Sequence, residues 1–204
     1  MMVIVNYKSG NIRAITNIYD KLGVPFKVAE SPDCLIGATK IILPGVGAFD
    51  QAMSHLEESG FRASLEKAVH NDRTPILGIC VGMQILARSS EEGRRNGLGW
   101  IQGRVKRFDV SRFTQATRLP HMGWNDVQPT GQSILFRGLD ADARFYFLHS
   151  YYFEADNVAD VLAQSQYGEL FACAVRSENI YGVQFHPEKS HHFGVQLLKN
   201  FAEL

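Results

Sequence analysis

The segment Pro75-Ile76-Leu77-Gly78-Ile79-Cys80-Val81-Gly82-Met83-Gln84 places a cysteine between two glycines, directly after an apolar run. Residues 75–79 predict a buried strand, and residues 83–88 are predicted to be helical. Cys80 would therefore lie on a sharp turn from a strand into a helix, which is the arrangement of a nucleophile elbow. Glycines suit this turn because its central residue is strained, and because side chains at Gly78 and Gly82 would clash with neighbouring backbone.

Two interpretations of Cys80 compete. A free cysteine is often a small buried hydrophobic residue. On an elbow, its sulfur instead points out over the sheet, where the N–H groups of the following helix favour a thiolate and the N–H of Val81 can donate to an oxyanion. The flanking glycines and the preceding strand favour the nucleophile. Cys34 and Cys173 have no such surroundings and are interpreted as structural.

Strand and helix signals alternate through the first half of the chain. Strands are predicted at 2–6, 26–28 and 40–43, the last of them stopped by Pro44-Gly45. Helices are predicted at 12–22, with Gly23 as the C-terminal cap, and at 48–71, interrupted by Gly60. This alternation predicts a central, mostly parallel sheet with helices on both faces.

Aromatic and β-branched runs separated by turns follow in the second half, at 100–108, 145–153, 158–163, 171–176 and 180–185. They predict several strands with antiparallel pairing, and residues 191–201 predict a final helix. No repeat or linker divides the chain. Residues 1–204 are therefore interpreted as a single α/β domain.

Composition excludes several classes of protein. Apolar residues make up 45% of the 204 residues, and 21 Lys and Arg balance 21 Asp and Glu, so a basic nucleic-acid or membrane-surface binder is not expected. The three cysteines are widely spaced, which argues against a disulfide framework or a zinc site and favours a reducing, cytoplasmic location. No apolar run is long enough to cross a bilayer, and the apolar start is too short for a signal peptide.

A base for Cys80 is predicted at His186, one of seven histidines. It ends the apolar run Tyr181-Gly182-Val183-Gln184-Phe185, and sites in parallel sheets gather at the carboxyl ends of strands. Glu188 is near enough in sequence to hydrogen bond to the imidazole and fix its tautomer. A histidine after a strand is more often a plain surface or packing residue, but the acid beside it favours the catalytic interpretation.

The segment Leu43-Pro44-Gly45-Val46-Gly47 also ends a predicted strand. Its glycines allow unusual backbone angles and close approach of a ligand, so the segment is interpreted as a second source of oxyanion N–H groups. An ordinary tight turn is the plainer interpretation. A phosphate-binding loop is a third, but the Gly-Lys-Ser/Thr ending is missing.

Taken together, these motifs resemble the class I (triad) glutamine amidotransferases. Within that family the chain is similar to the glutaminase subunits of imidazole glycerol phosphate synthase, and the similarity extends from the first predicted strand to the last helix. The motifs that carry it are Pro44-Gly45-Val46-Gly47-Ala48-Phe49, residues 78–84, Pro120-His121-Met122-Gly123-Trp124-Asn125, Phe147-Leu148-His149-Ser150-Tyr151 and residues 182–190.

The resemblance implies a mechanism and a partner. Cys80 would attack the glutamine amide to form a thioester and release ammonia, His186 would move the protons, and Glu188 would orient it. The remaining implied roles are oxyanion binding by Val46, Gly47 and Val81, glutamine binding by Gln84, His149, Ser150 and Tyr151, and contact with the partner by Asn11, Trp124 and Lys189. The partner would be a (βα)8-barrel cyclase subunit that receives the ammonia and forms imidazole glycerol phosphate and AICAR. No metal or organic cofactor is implied.

Two segments depart from the family pattern. Asn6-Tyr7-Lys8 stands where members commonly have Asp-Tyr-Gly, and Val81 stands where they commonly have Leu. The first departure places a cation near the carboxyl edge of the sheet. It keeps open a second hypothesis, in which the same chemistry supplies ammonia to a surface-sugar amidation enzyme. A third hypothesis, a non-catalytic scaffold, is disfavoured by the intact Cys80, His186 and Glu188.

Overall fold

The computed structural model describes residues 1–113 and 118–204. Its strands are β1 (Met2–Val5), β2 (Phe26–Ala29), β3 (Lys40–Gly45), β4 (Ile76–Cys80), β5 (Gly103–Arg107), β6 (His121–Asp126), β7 (Gln128–Pro129), β8 (Arg144–His149), β9 (Tyr151–Ala155), β10 (Val161–Tyr167), β11 (Glu169–Ser177) and β12 (Ile180–Val183). Its α-helices are α1 (Ile12–Leu22), α2 (Phe49–Glu58), α3 (Phe61–Glu66), α4 (Val81–Gln84) and α5 (His191–Ala202).

The parallel half of the sheet has the strand order β2-β1-β3-β4. Each neighbouring pair is parallel, and the strands β1 and β4 are buried along their whole length. The chain passes from β1 to β2 in one direction across the sheet, and from β3 to β4 in the opposite direction. Because crossover connections are right-handed, α1 lies on one face of the sheet and α2 with α3 on the other. The predicted parallel sheet with helices on both faces is confirmed.

The second half adds the antiparallel strands. β12 pairs with β4 in parallel and with β11 antiparallel, after which the order continues through β10 to β7. β9 pairs with both β11 and β5, whereas β6 and β8 form a separate two-stranded sheet. The central position of β12 matters most for function, because it brings the end of the chain beside the strand that precedes Cys80.

Several predicted elements have different limits in the structure. The predicted helix 83–88 is wrong: α4 ends at Gln84. The loop after α4 uses hydrogen-bond acceptors that a longer helix would need. The carbonyls of Ile85 and Ala87 accept the N–H groups of Leu98 and Gly99 at 2.8 and 3.0 Å. Those carbonyls are therefore unavailable to a continuing helix.

Strand boundaries differ for related reasons. β3 continues through Pro44 and Gly45, where it is paired with β4. On its other side β1 pairs with it only as far as Ile42, so no strand there requires a hydrogen bond from the N–H that proline lacks. The predicted strand 145–153 is two strands, β8 and β9, separated at Ser150. The predicted strand 158–163 begins with a single helical turn, Val158–Asp160, before β10. Strand β6, with a glycine at its centre, was not predicted.

The predicted cap of the first helix, the break at Gly60 and the final helix are confirmed. Gly23 follows α1 with a positive φ of 66°, and its N–H bonds to the carbonyl of Asp20. Gly60 separates α2 from α3, and α5 closes the chain. Across residues 1–113 and 118–204, no helix is long and apolar enough to span a membrane.

Candidate active site

Cys80 adopts the strained conformation that the elbow prediction requires. Its φ and ψ are 55° and −113°, between the end of β4 and the start of α4. The flanking glycines are needed for space: a Cβ at Gly82 would lie 2.0 Å from the carbonyl oxygen of Leu43, and one at Gly78 would lie 2.5 Å from that of Gly82. The elbow therefore packs backbone against backbone, so β4, α4 and the end of β3 hold Cys80 in place.

His186 and Glu188 form a buried pair at the end of the neighbouring strand. β12 pairs with β4 so that Val183 lies opposite Ile79, and His186 follows after two further residues. The imidazole Nδ1 lies 2.9 Å from Oε1 of Glu188, and both side chains are almost fully buried. A carboxylate accepts only, so Nδ1 carries the proton and Nε2 is the ring nitrogen left for Cys80.

The electrostatics of His186 follow from this position. Burial opposes a charge on the ring, but hydrogen bonds with Cys80 and Glu188 and the charges of these two groups outweigh it. Together they raise the pKa of His186 from 6.5 to about 10. The ring is thus held in its protonated form next to the cysteine, with a proton on Nε2 that it could donate.

A cavity of about 350 Å³ lies in front of Cys80 and collects most of the predicted site residues. The predicted residues that line it are Val46, Gly47, Cys80, Val81, Gln84, His149, Ser150, Tyr151, His186 and Lys189. Glu188 lies behind His186, and Asn11 and Trp124 lie outside the lining. In the described parts of the chain, no group of three or more His, Cys, Asp or Glu side chains is placed to hold a metal ion.

The N–H of Val46 does not face the cavity. It donates to the Ser9 hydroxyl at 3.0 Å, and that hydroxyl donates in turn to the carbonyl of Val46 at 3.0 Å. Gly47 follows with a φ of 91°, a backbone conformation that glycine adopts readily. The peptide units around Val46 would have to rotate before the N–H of Val46 could bind an oxyanion.

A chain of buried amide and imidazole groups underlies the cavity. Gln84 donates from Nε2 to the carbonyl of Tyr151 at 3.1 Å and to Oε1 of Gln184 at 3.0 Å. His149 also bonds to the Tyr151 carbonyl, at 2.7 Å, and its second nitrogen lies 3.0 Å from the ring of His121. Burial lowers the pKa of His121 to about 4 and that of His149 to about 3, so both rings are neutral at physiological pH.

A family model described as "Glutamine amidotransferase class-I" matches residues 3–204. The chain belongs to the class I glutamine amidotransferase family. A protein from Bdellovibrio bacteriovorus is 58% identical over 204 residues, which is the whole of both chains, and bears the name "Imidazole glycerol phosphate synthase subunit HisH". A protein of the same name from Leptospira borgpetersenii is 50% identical over 204 residues, again the whole of both chains.

Solved structures agree in fold. A crystal structure described as "glutamine amidotransferase" superposes with a TM-score of 0.75 at 20% identity and covers 99% of both chains. The structure of PurLQS from Thermotoga maritima also gives a TM-score of 0.75, at 18% identity over 99% of this chain and 97% of that one. At these identities the likeness shows the glutamine amidotransferase fold and no more.

The structure shows what surrounds two of the positions at which this amidotransferase departs from the family pattern, Lys8 and Asn6. Lys8 has a φ of 64°, a left-handed conformation that accounts for the glycine other members commonly have. Asn6 donates from Nδ2 to both carboxylate oxygens of Glu30, at 3.0 and 3.2 Å. An aspartate at position 6 would instead repel Glu30. Asn6 therefore has a hydrogen-bond partner in Glu30, the residue that follows β2.

Three residues of the cavity wall were given no role in the site by the sequence analysis: Glu92, Pro120 and Leu148. Glu92 is the most consequential because it brings a carboxylate to the cavity, and its Oε2 accepts the N–H of Phe49 at 2.8 Å. It lies in the loop after α4, where neither periodicity nor a strand end marks it. Its contact with the start of α2 depends on tertiary packing alone.

Proposed function

We propose that this amidotransferase is the glutaminase subunit of an imidazole glycerol phosphate synthase and releases ammonia for histidine biosynthesis. The observation that carries the proposal is the assembly of Cys80, His186 and Glu188 at the ends of two neighbouring strands, beside a cavity. The names of the full-length relatives support the choice of pathway over the surface-sugar alternative.

The first half of the reaction breaks the amide bond. The Cys80 thiolate attacks the side-chain carbonyl carbon of glutamine, and the N–H of Val81 stabilises the resulting oxyanion, joined by Val46 or Gly47 once that segment rotates. His186 then donates its Nε2 proton to the amide nitrogen. The carbon–nitrogen bond breaks, ammonia leaves, and a thioester on Cys80 is left behind.

The second half restores the enzyme. Neutral His186 takes a proton from water as the water oxygen attacks the thioester carbonyl, and collapse of the second oxyanion breaks the carbon–sulfur bond. Glutamate leaves, and the Cys80 thiolate and the His186 imidazolium return. Glu188 stays ionised throughout, because its function is to hold Nδ1–H and to stabilise the charged ring.

The cavity offers complementary groups for glutamine. Glu92 is suited to the α-ammonium group, since the other carboxylate of the site, Glu188, is already bonded to His186. Ser150 and Tyr151 lie at the break between β8 and β9, where a substrate can approach the backbone. Gln84 and His149 support this break through the Tyr151 carbonyl and, in our proposal, bind glutamine from beneath.

A partner surface surrounds the cavity mouth. Four apolar side chains are exposed there or on the adjacent two-stranded sheet, at 37 to 62% of their area: Val46, Met122, Trp124 and Leu148. The indole of Trp124 stacks on His191 with ring centroids 5.0 Å apart, and Lys189 is held over the ring of Tyr146. We assign this face, with Asn11 beside it, to a (βα)8-barrel cyclase subunit.

Ammonia released at Cys80 would enter that cyclase without meeting bulk water and would become part of imidazole glycerol phosphate, with AICAR as the second product. Because glutamine hydrolysis without a waiting acceptor would be wasteful, the isolated chain should be a poor glutaminase. The free thiols of Cys34, Cys80 and Cys173 support a cytoplasmic location.

The test measures glutamate release by the purified chain alone, with a (βα)8-barrel cyclase, and with that cyclase plus its nucleotide substrate. Strong stimulation only in the last mixture is expected. High activity in the isolated chain, unchanged by the cyclase, would contradict the proposal, and stimulation by a sugar-amidating enzyme instead would reassign the pathway. Cys80→Ala should abolish hydrolysis while leaving the fold intact, and residual full activity would overturn the triad.

A further inference from the structure

We infer that Gln184 is a positioning residue for the nucleophile, whose side-chain amide donates an N–H to the sulfur of Cys80. This deepens the proposed function and rests on it for its consequence in catalysis. The Nε2 atom of Gln184 lies 3.8 Å from Sγ of Cys80, within reach of a hydrogen bond to sulfur. Gln184 is fully buried and lies outside the cavity lining, so it contacts the nucleophile and not the substrate.

The sheet places this side chain beside the elbow. Val183 is paired with Ile79, so the next residue of each chain segment, Gln184 and Cys80, stand level with one another. On the other side of Gln184, its backbone N–H donates to the carbonyl of Cys173 at 2.8 Å. The position of Gln184 is therefore fixed by backbone pairing on both sides, before its side chain makes any contact.

The direction of the amide is settled by a backbone carbonyl. The oxygen of Tyr151 can only accept, so the Gln84 atom 3.1 Å from it is the amide nitrogen. The second hydrogen of that nitrogen points to Gln184 at 3.0 Å, which must therefore present its oxygen there. Gln184 is left with its NH₂ group toward Cys80, as a donor and not an acceptor.

A second series of hydrogen bonds ends on the same Tyr151 carbonyl. Asn125 uses its oxygen for the N–H of Asp126 and so donates from Nδ2 to Nε2 of His121, at 3.2 Å. His121 donates from Nδ1 to Nε2 of His149, which leaves Nδ1–H of His149 for the Tyr151 carbonyl. Because each donor in the series has its acceptor, reversing any single amide or ring would leave buried groups unpaired.

The chemical consequence is a donor to the sulfur in addition to His186. A buried thiolate is costly unless hydrogen bonded, and hydrogen bonds to charged groups are stronger than those between neutral groups. Gln184 should therefore increase the fraction of Cys80 present as thiolate and hold the sulfur toward the substrate carbonyl. Losing this donor should lower kcat roughly ten- to hundredfold and leave KM nearly unchanged.

The test uses Gln184→Met, which keeps the volume and removes the donor, and Gln184→Glu, which replaces it by an acceptor. Both are made in a Cys34→Ser background, because Cys34 is accessible and a hydrogen bond with Ser31 lowers its pKa to about 7, so it would compete for the reagent. Alkylation of Cys80 by iodoacetamide is followed across pH by peptide mass spectrometry. We expect the pH profile to move to higher pH in both variants, further for Gln184→Glu.

The matched control is Gln196→Met, which removes a partly buried donor to Oδ1 of Asn200 at 2.8 Å in α5 and should leave the profile unchanged. An unchanged Cys80 profile in folded Gln184→Met overturns the inference. This readout needs no glutaminase activity, so failure of the proposed function and failure of this inference are distinguishable. When the cyclase is bound, a rise in KM without loss of kcat would likewise overturn it.

If both variants fail to fold, the wild-type chain still gives an answer. In protein labelled with ¹⁵N-glutamine, the side-chain amide signal of Gln184 should move when Cys80 is replaced by Ala, whereas that of Gln196 should not. A Gln184 signal that is insensitive to Cys80→Ala contradicts the hydrogen bond.

Discussion

The backbone N–H of Val46 is hydrogen bonded to the hydroxyl of Ser9, 3.0 Å away, and not directed into the cavity in front of Cys80. In this conformation the N–H of Val46 is unavailable to an oxyanion, whereas the N–H of Val81 needs no such rotation. Ser9 is itself almost fully buried, so the bond is protected from competing water. The arrangement is a structural reason to expect low glutaminase activity from the isolated chain.

Replacing Ser9 by Ala should therefore raise the glutaminase activity of the isolated chain. The variant removes both hydrogen bonds by which the Ser9 hydroxyl holds Val46 away from the cavity, and each bond, at about 1 kcal/mol, corresponds to roughly a fivefold change in the population of the rotated form. Glutamate release without partner measures it. Ser59→Ala, which removes a hydroxyl bonded to the carbonyl of Leu56 in α2, is the control and should leave the activity unchanged. Equal or lower activity in a folded Ser9→Ala protein would show that this bond does not restrain the oxyanion segment.

Replacing Glu188 by Gln should lower kcat by about two orders of magnitude or more when the cyclase is bound. The neutral amide no longer stabilises a charged imidazole, so the pKa of His186 should fall from about 10 toward its ordinary value. Steady-state kinetics and NMR titration of the His186 ring measure the two effects together. Glu203→Gln, at an exposed pair with Arg137, serves as the control. If the pKa of His186 falls but kcat stays normal, the prediction is contradicted, because the charge on His186 would then not be needed for catalysis.

Replacing Lys8 by Gly should stabilise the protein by about 1 kcal/mol, because the left-handed backbone at this position strains every residue that carries a Cβ. Chemical denaturation measures the change in the free energy of unfolding. Lys21→Gly, within α1, should have the opposite sign and cost about 1 kcal/mol of helix propensity. A loss of stability in Lys8→Gly would mean that the lysine side chain makes a contribution larger than the strain.

The residues that could be predicted from the sequence are those whose signal is local. Cys80 is flanked by glycines, and His186 and Glu188 lie two residues apart at a strand end, so short-range pattern was sufficient for all three. The helix after Cys80 was predicted too long because its carbonyls bond to a loop more than ten residues away.

Glu92, Ser9 and Gln184 acquire the contacts described above only through tertiary structure. Glu92 meets the start of α2 across 43 residues, Ser9 meets Val46 across 37, and Gln184 meets Cys80 across 104. None of them has a periodicity or a neighbouring residue type that indicates the contact. The order of strands in the sheet, above all the insertion of β12 beside β4, is what creates these pairs.

The neutral pair of His121 and His149 should make the protein sensitive to acid. Burial lowers the pKa of both rings, to about 4 and about 3, whereas the unfolded chain would bind protons at about 6.5. Below pH 6.5 the unfolded state therefore binds protons that the folded state does not bind, so the free energy of unfolding decreases as the pH falls. Each histidine contributes at most about 1.4 kcal/mol per pH unit, and each is only half protonated in the unfolded chain at pH 6.5. The free energy of unfolding should therefore fall by about 2 kcal/mol between pH 6.5 and 5.5.

His186 has only a small effect in this window. Its raised pKa stabilises the folded state fully at low pH, and most of that stabilisation is lost above pH 6.5. Urea denaturation at the two pH values measures the slope, and NMR should show the His121 and His149 rings neutral down to about pH 5. A flat stability profile, or rings that titrate near pH 6.5, would contradict the directed hydrogen-bond chain beneath the cavity.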